Sequence, residues 1–155
     1  MADNERVYCM TGYKGFSALA IPLSAQGDIS DSNLITWKKR EGTPYVPSPL
    51  LWRGRLYYTK SNQPILSCVN SETGKAVFPI TRLPKLFGVY ASPVAAAGRI
   101  YISGRGGNTV VLKDSDKFEV LSSNRLDDQF NASPALVGNR LLLRGRKFLY
   151  CIGKQ

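Results

Sequence analysis

The chain has 155 residues, of which 43% are apolar, and this size and composition fit one globular unit with an ordinary hydrophobic core. Its 21 basic and 11 acidic residues give a formal charge of +10, which would attract polyanions over a long range. The apolar runs are too short for a transmembrane helix, and the first residues show no secretory signal pattern. The three cysteines show no CxxC spacing and histidine is absent, so neither a structural zinc site nor a serine–histidine pair is predicted.

A ten-residue sequence motif, which we call the Ser-Pro phrase, recurs along the chain. It begins with Ser-Pro, continues with apolar residues and a turn, and ends on an aliphatic strand, at Ser48–Tyr57, Ser92–Tyr101 and Ser133–Leu142. A shortened copy opens the chain at Asn4–Tyr8. The Ser-Pro starts lie 44 and 41 residues apart (92 − 48 and 133 − 92), a period typical of propeller blades. The phrase divides the chain into repeats of approximately 1–47, 48–91, 92–132 and 133–155.

Within each repeat, β-branched and aromatic runs alternate with Gly- and Asp-rich turns, a pattern that predicts a four-stranded antiparallel meander. The first copy predicts three strands, at Val7–Thr11, Phe16–Ile21 and Leu34–Lys38. The second predicts Leu50–Trp52, Arg55–Thr59, Ile65–Asn70 and Ala76–Phe78. The third predicts Val94–Ala96, Arg99–Ser103, Thr109–Lys113 and Phe118–Leu121. The last predicts Ala135–Val137, Leu141–Arg144 and Lys147–Ile152. The fold class is therefore all-β, a partial propeller whose first and last blades are incomplete.

Alignment of the repeats indicates structural roles for several residues that could otherwise carry chemistry. Cys68 and Cys151 align with Leu19 and Leu112 and are predicted to be small buried hydrophobes, too far apart for a disulfide. Three tyrosines share one repeat position and are expected to pack between blades: Tyr8, Tyr57 and Tyr101. The serines of the Ser-Pro phrases have no histidine base and are predicted to be structural: Ser48, Ser92 and Ser133. We therefore predict no catalytic, cofactor-binding or metal-binding residue.

The charged residues predict a solvated rim of loops, with a true polyanion site as the alternative. The acidic residues fall mainly in turns and loops, at Asp28, Asp31, Glu72, Asp114, Asp116, Asp127 and Asp128. Asp127-Asp128 is the only acidic dipeptide, and it is expected to be a solvated loop because a hard cation needs more oxygen ligands.

The Ser-Pro phrase, the Gly-x-Arg-aliphatic-Tyr segment and the turn Glu72–Lys75 together resemble the quinoprotein-like (PQQ-like) propeller repeat. The resemblance covers nearly the whole chain and implies a ring of seven or eight blades in full. The tryptophan usual after such a turn is Phe78 here, while Trp37 sits where that residue should pack between blades. The enzymes of the family hold quinone and calcium with a carboxylate-rich centre and adjacent cysteines, whereas this chain has no adjacent cysteines.

The resemblance favours the final blades of a cofactor-free bacterial member, a non-catalytic module that binds a protein or polysaccharide partner. It implies a periplasmic, cell-envelope or secreted protein. The alternative is a fragment of a PQQ-dependent dehydrogenase, and a third, less favoured hypothesis is a nucleic-acid or other polyanion binder.

The two ends of the chain predict self-association. The beginning looks cut, whereas the ending at Gly153–Gln155 looks natural for a propeller. Incomplete end blades leave strand edges unpaired, so the isolated chain is expected either to pair edge to edge, for example as two copies in an eight-bladed ring, or to be poorly soluble.

Overall fold

A computed structural model describes residues 1–30 and 33–153, which form fourteen strands and no helix. The strands build four antiparallel sheets of three, four, four and three strands, each sheet drawn from one repeat. The predicted all-β fold class and the predicted strand count are confirmed. Among the sequence predictions, Asp31 and the final Lys154 and Gln155 lie outside the described residues.

The sheets are named blades one to four in chain order. Blade one contains β1 (Arg6–Thr11), β2 (Ser17–Pro22) and β3 (Trp37–Lys39). Blade two contains β4 (Leu50–Trp52), β5 (Arg55–Thr59), β6 (Ile65–Asn70) and β7 (Ala76–Arg82). Blade three contains β8 (Val94–Ala96), β9 (Arg99–Ser103), β10 (Asn108–Lys113) and β11 (Val120–Arg125). Blade four contains β12 (Ala135–Val137), β13 (Arg140–Arg144) and β14 (Leu149–Gly153).

The inner strands match their predicted bounds more closely than the outermost strands. β3 begins at Trp37 instead of Leu34, and β7 continues to Arg82, which pairs with Ile65. β11 begins at Val120 because Phe118 leaves the ladder and packs edge-on against Phe78 of blade two, with ring centroids 5.8 Å apart. The start of β11 therefore depends on a contact with the neighbouring blade that the repeat pattern does not encode.

The strand register corrects part of the repeat alignment. Tyr57 pairs with Cys68, and the equivalent Leu142 pairs with Cys151, as the alignment implies. In blade one, however, Tyr8 pairs with Ala20, and in blade three Tyr101 pairs with Val111. The residues equivalent to Cys68 are therefore Ala20 and Val111, one position away from the predicted Leu19 and Leu112. The number of residues between the paired positions of the second and third strands differs from blade to blade, so the sequence alignment of the third strands does not fix their register.

The hydrophobic core lies between blades, because successive side chains of a strand point to opposite faces. Tyr8, Ala18 and Ala20 of blade one pack against Leu56 and its neighbours in blade two. The other face of blade two buries Tyr57, Leu66 and Cys68 against blade three. Full burial of a large apolar side chain stabilises the fold by about 1.5–3 kcal/mol, so these two junctions hold the first three blades together.

Trp37 closes the junction of blades one and two, as its predicted position between blades required. Its indole Nε1 donates to the Ser71 carbonyl oxygen at 2.8 Å, and the ring covers Gly74 in the turn of blade two. A Cβ atom on Gly74 would lie 2.8 Å from the indole, and the φ of Gly74 is +66°, so glycine is required for both reasons.

The serines of the Ser-Pro phrases link successive blades at their inner strands. The Ser48 amide donates to the Ser92 hydroxyl at 2.9 Å, and the Ser92 amide donates to the Ser133 hydroxyl at 2.9 Å. The predicted structural role of these serines therefore has a specific form, a hydrogen-bonded seam that joins three blades.

Blade one keeps a remnant of the inner strand that the sequence predicts to be missing. Ala2 forms an antiparallel bridge with Val7, and the Tyr8 amide donates to the Met1 carbonyl oxygen at 2.8 Å. The bridge Ala2 to Val7 has the same five-residue spacing as the pair Leu51 to Leu56 in blade two.

The predicted burial of the cysteines is correct for Cys68 and wrong for Cys151. Cys68 is buried, and burial raises the pKa of its thiol to about 12. Cys151 is exposed, as is Cys9. The reason is position: Cys151 lies on the face of blade four that is turned away from blade three, and no other blade among the described residues covers that face.

Candidate functional site

A basic cleft opens where the third and fourth blades meet, at the end that carries their second-to-third-strand turns. It has a volume of about 310 Å³ and is lined by Gly106, Arg125, Asp127, Asp128, Gln129, Arg146 and Lys147. We call it the arginine cleft.

Two elements place the arginines on the cleft. Arg125 is the last residue of β11 and pairs with Asn108, beside the turn that contains Gly106. Arg146 lies in the turn between β13 and β14, and its amide donates to the Gln129 carbonyl oxygen at 3.0 Å. The strand end and the turn therefore hold both backbones in fixed positions.

Asp128 organises the floor of the cleft. Its carboxylate accepts hydrogen bonds from the amides of Gln129 at 2.7 Å, Lys147 at 3.0 Å and Phe148 at 3.1 Å, and from the Tyr150 hydroxyl at 3.2 Å. Burial by itself would raise the pKa of Asp128, but the backbone hydrogen bonds prevail and hold that pKa below its ordinary value.

These contacts correct the prediction of a solvated Asp127-Asp128 loop. Asp127 is indeed fully exposed, whereas Asp128 is only 7% exposed and ties the loop before blade four to the β13–β14 turn. Gly145 is required beside it, because a Cβ atom there would overlap the Asp128 carboxylate.

The charges around the arginine cleft are incompletely balanced. Lys147 approaches Asp127, with 3.6 Å between Nζ and the carboxylate oxygen. Within residues 1–30 and 33–153, Arg125 and Arg146 take part in no ion pair. Two guanidinium groups at one cleft are suited to an anionic group, since guanidinium can bind a carboxylate through two parallel hydrogen bonds.

Arg105 occupies the same turn position in blade three as Arg146 in blade four. Its amide donates to the Gly88 carbonyl oxygen at 3.0 Å, as the Arg146 amide donates to Gln129. The Arg105 guanidinium lies 4.4 Å from the centre of the Tyr90 ring, and its Nε donates to Asn131 at 2.9 Å. This basic surface is not among the sequence predictions; the signal that could have indicated it is a Gly-Arg pair at this turn in successive repeats, Gly104-Arg105 and Gly145-Arg146.

The opposite end of the blades carries Asp114 and Asp116, and both are paired. Asp114 accepts hydrogen bonds from Trp52 Nε1, from an Arg55 guanidinium nitrogen and from the Tyr57 hydroxyl, each at 3.0 Å. The Asp114 side chain is 1% exposed, and Asp116 pairs with the same arginine. Asp114 thus joins blades two and three and is fully occupied by protein donors.

The tyrosines that share a repeat position pack between blades in two cases. Tyr8 and Tyr57 are buried in the two core clusters. Tyr101 is half-buried and lines an apolar cleft of about 310 Å³ between blades three and four. No group of three or more His, Cys, Asp or Glu residues that could hold a metal ion occurs in the described parts of the chain.

No family model matches the chain, and no curated protein resembles it in sequence closely enough to count as a match. Solved structures do resemble it in fold. BamB from Moraxella catarrhalis is 14% identical with a TM-score of 0.65, over 90% of this chain and 41% of BamB. The computationally designed Ika4 protein is 6% identical with a TM-score of 0.72, over 98% of this chain and 87% of Ika4. A europium-containing methanol dehydrogenase is 10% identical with a TM-score of 0.57, over 80% of this chain and 23% of the enzyme.

The chain spans well under half the length of BamB and about a quarter of the length of the dehydrogenase. At these identities the likenesses concern the fold alone. Together with the four antiparallel sheets, they show that the chain has a β-propeller fold.

Proposed function

We propose that the chain is a non-catalytic PQQ-like propeller repeat protein, related to the final blades of cofactor-free bacterial members. Its arginine cleft binds a protein or polysaccharide partner that carries carboxylate groups. The observation that carries the proposal is that Arg125 and Arg146 line one cleft and take part in no ion pair within the described residues. A rigid repeat scaffold presents such loops in a fixed arrangement, as stacked-repeat proteins commonly do.

The use of the buried carboxylates supports a binding role over a catalytic one. Asp114 is held by three side-chain donors and Asp128 by backbone amides and a tyrosine hydroxyl. Both acidic groups therefore stabilise contacts between structural elements.

The experiment measures binding of the full chain to three probes of equal charge: polyglutamate, polygalacturonate and a single-stranded oligodeoxynucleotide. We expect the carboxylated probes to bind more tightly than the oligonucleotide. Replacement of both Arg125 and Arg146 by alanine should weaken that binding about tenfold or more, because each removes a charge-assisted pair.

A matched control replaces two basic residues at the other end of the blades, Lys113 and Lys117, by alanine, which keeps the net charge equal to that of the cleft variant. Equal losses in the two double variants would show that overall charge, and not the cleft, attracts the probes. Preference for the oligonucleotide with a steep salt dependence would favour the polyanion hypothesis instead.

The enzyme hypothesis stays open as a second candidate, because the fold resembles that of a methanol dehydrogenase over 80% of the chain. Saturable binding of PQQ with calcium to the full chain, together with dye-linked alcohol oxidation, would support it and overturn the non-catalytic proposal. The periplasmic, cell-envelope or secreted location stays a prediction of the family resemblance.

A further inference from the structure

Within residues 1–30 and 33–153, blade one and blade four each present an apolar face that no other blade covers. Strand alternation turns Tyr8 and Ala20 toward blade two, so the intervening residues of β1 and β2 point outward. This leading face consists of Val7, Cys9, Leu19, Ile21 and, just after β2, Leu23. The trailing face of blade four consists of Ala135, Val137, Leu142, Leu149 and Cys151.

The leading face has the composition of a buried blade face. By strand register, four of its residues are equivalent to residues of blade three that are at most 2% exposed against blade two: Ile100, Ile102, Val110 and Leu112. The trailing face likewise corresponds to the face of blade two that buries Tyr57 and Cys68. Here Leu149 is 67% exposed, and Cys9 and Cys151 are exposed.

One position shows that the two end faces match each other. β2, β6 and β10 occupy equivalent positions in their blades. The residue after each of these strands donates its amide to the carbonyl oxygen of the preceding hairpin turn: Leu23 to Glu5, Ser71 to Gly54 and Asp114 to Gly98. At the covered junctions this position is polar, and Asp114 accepts from the Tyr57 hydroxyl.

The end faces replace both partners of this contact with leucine. Leu23 stands where Ser71 and Asp114 stand, and Leu142 stands where Tyr57 stands. A tyrosine on blade four would meet no acceptor at Leu23, whereas Leu142 makes the contact apolar on both sides. Leu142 on blade four and Leu23 on blade one are therefore suited to contact each other.

We infer that two copies of this chain associate through these faces, with the trailing face of each packed on the leading face of the other. The contact is head-to-tail and closes after two copies into a ring of eight blades. The contact joins apolar blade faces and does not use the arginine cleft.

Light scattering and sedimentation of the full chain test the inference. The wild-type chain should be a dimer, and Leu23→Glu or Leu142→Lys alone should weaken association about 100-fold or more, because each buries an unpaired charge. The double variant should regain most of the loss, because the carboxylate introduced on one copy then faces the ammonium group introduced on the other. Leu121→Lys, on the outermost strand of blade three, is the matched control and should leave association unchanged.

Two further readouts separate this contact from others. Thiol labelling should be slow at Cys9 and Cys151 in the wild-type dimer and fast in Leu142→Lys, while Cys68 stays slow in both. Added salt should strengthen the dimer by screening repulsion between two chains of charge +10, whereas it should weaken partner binding at the arginine cleft. A monomer at concentrations up to about 0.1 mM, or a dimer that the double variant does not restore, would overturn the inference.

Discussion

The junction of blades two and three and the junction of blades three and four have the same backbone plan and different packing. The first buries Tyr57, Leu66 and Cys68 and is locked by Asp114. The second leaves an apolar cleft of about 310 Å³, bordered by Tyr101, Thr109, Val111, Leu141, Leu143 and others.

Two equivalent positions differ in side-chain size across these junctions. Leu66 pairs with Thr59 and corresponds to Thr109, which pairs with Ser103. Phe78 pairs with Cys68 and corresponds to Ser122, which pairs with Val111. The comparison teaches that the repeat fixes the positions of the strands, whereas a few large side chains on the third and fourth strands decide how tightly neighbouring blades pack.

The largest expected effect on the free energy of unfolding comes from removing a side chain from the junction of blades two and three, called here the tight junction. Leu66→Ala should lower the free energy of unfolding by about 3 kcal/mol, because Leu66 is fully buried and its loss leaves a cavity. Leu141→Ala, beside the existing cleft, should cost about 1 kcal/mol or less, since that site is half-buried and already loosely packed. Denaturant unfolding of the two variants measures the difference, and equal costs would contradict the comparison.

Loss of the Asp114 hydrogen bonds at the tight junction should have the next largest effect on the free energy of unfolding. Asp114→Asn should cost about 2 kcal/mol, because it removes the charge that three buried or partly buried donors share. Asp116→Asn is the control and should cost close to nothing, since that carboxylate is 81% exposed. A similar loss in both variants would assign the stabilisation to net charge and not to the hydrogen bonds.

The smallest effect is expected beside the looser junction of blades three and four, where Asp128 should make the free energy of unfolding depend on pH in the acid range. The folded-state pKa of this residue lies below its ordinary value of 3.8, so its stabilisation is complete above that pH and is lost as the pH falls through the folded pKa. Asp128→Asn should be less stable at neutral pH and should lose less stability on acidification than wild type. Asp127→Asn should keep the wild-type profile in unfolding experiments from pH 7 to about pH 3. An unchanged profile in Asp128→Asn would remove Asp128 from this role.

The sequence predicts local features of the fold better than contacts between blades. Six strands have the predicted bounds, because their ends are set by turns within one repeat, as at Arg55–Thr59 and Arg99–Ser103. The prediction failed for Cys151, whose burial depends on a neighbouring blade, and for Asp128, most of whose partners lie about twenty residues later in the chain.

The candidate site could be predicted only in part. The repeated Gly-Arg turn indicates where Arg105 and Arg146 lie, but Arg125 reaches the same cleft through a strand pairing that the sequence pattern does not reveal. Charge composition gives the sign of the surface, whereas the pairing of each charge depends on tertiary contacts.

The hydrogen-bonded serines Ser48, Ser92 and Ser133, called here the serine seam, have a consequence for the gain or loss of whole repeats. The Ser92 hydroxyl accepts a hydrogen bond from the Ser48 amide, and the Ser92 amide donates one to the Ser133 hydroxyl. The serine of one Ser-Pro phrase thus provides both a donor and an acceptor. Excision or duplication of a whole repeat unit would therefore bring a donor opposite an equivalent acceptor, with no new residue required. The hydrogen bonds between the serines would therefore be kept whenever a whole repeat is added or removed.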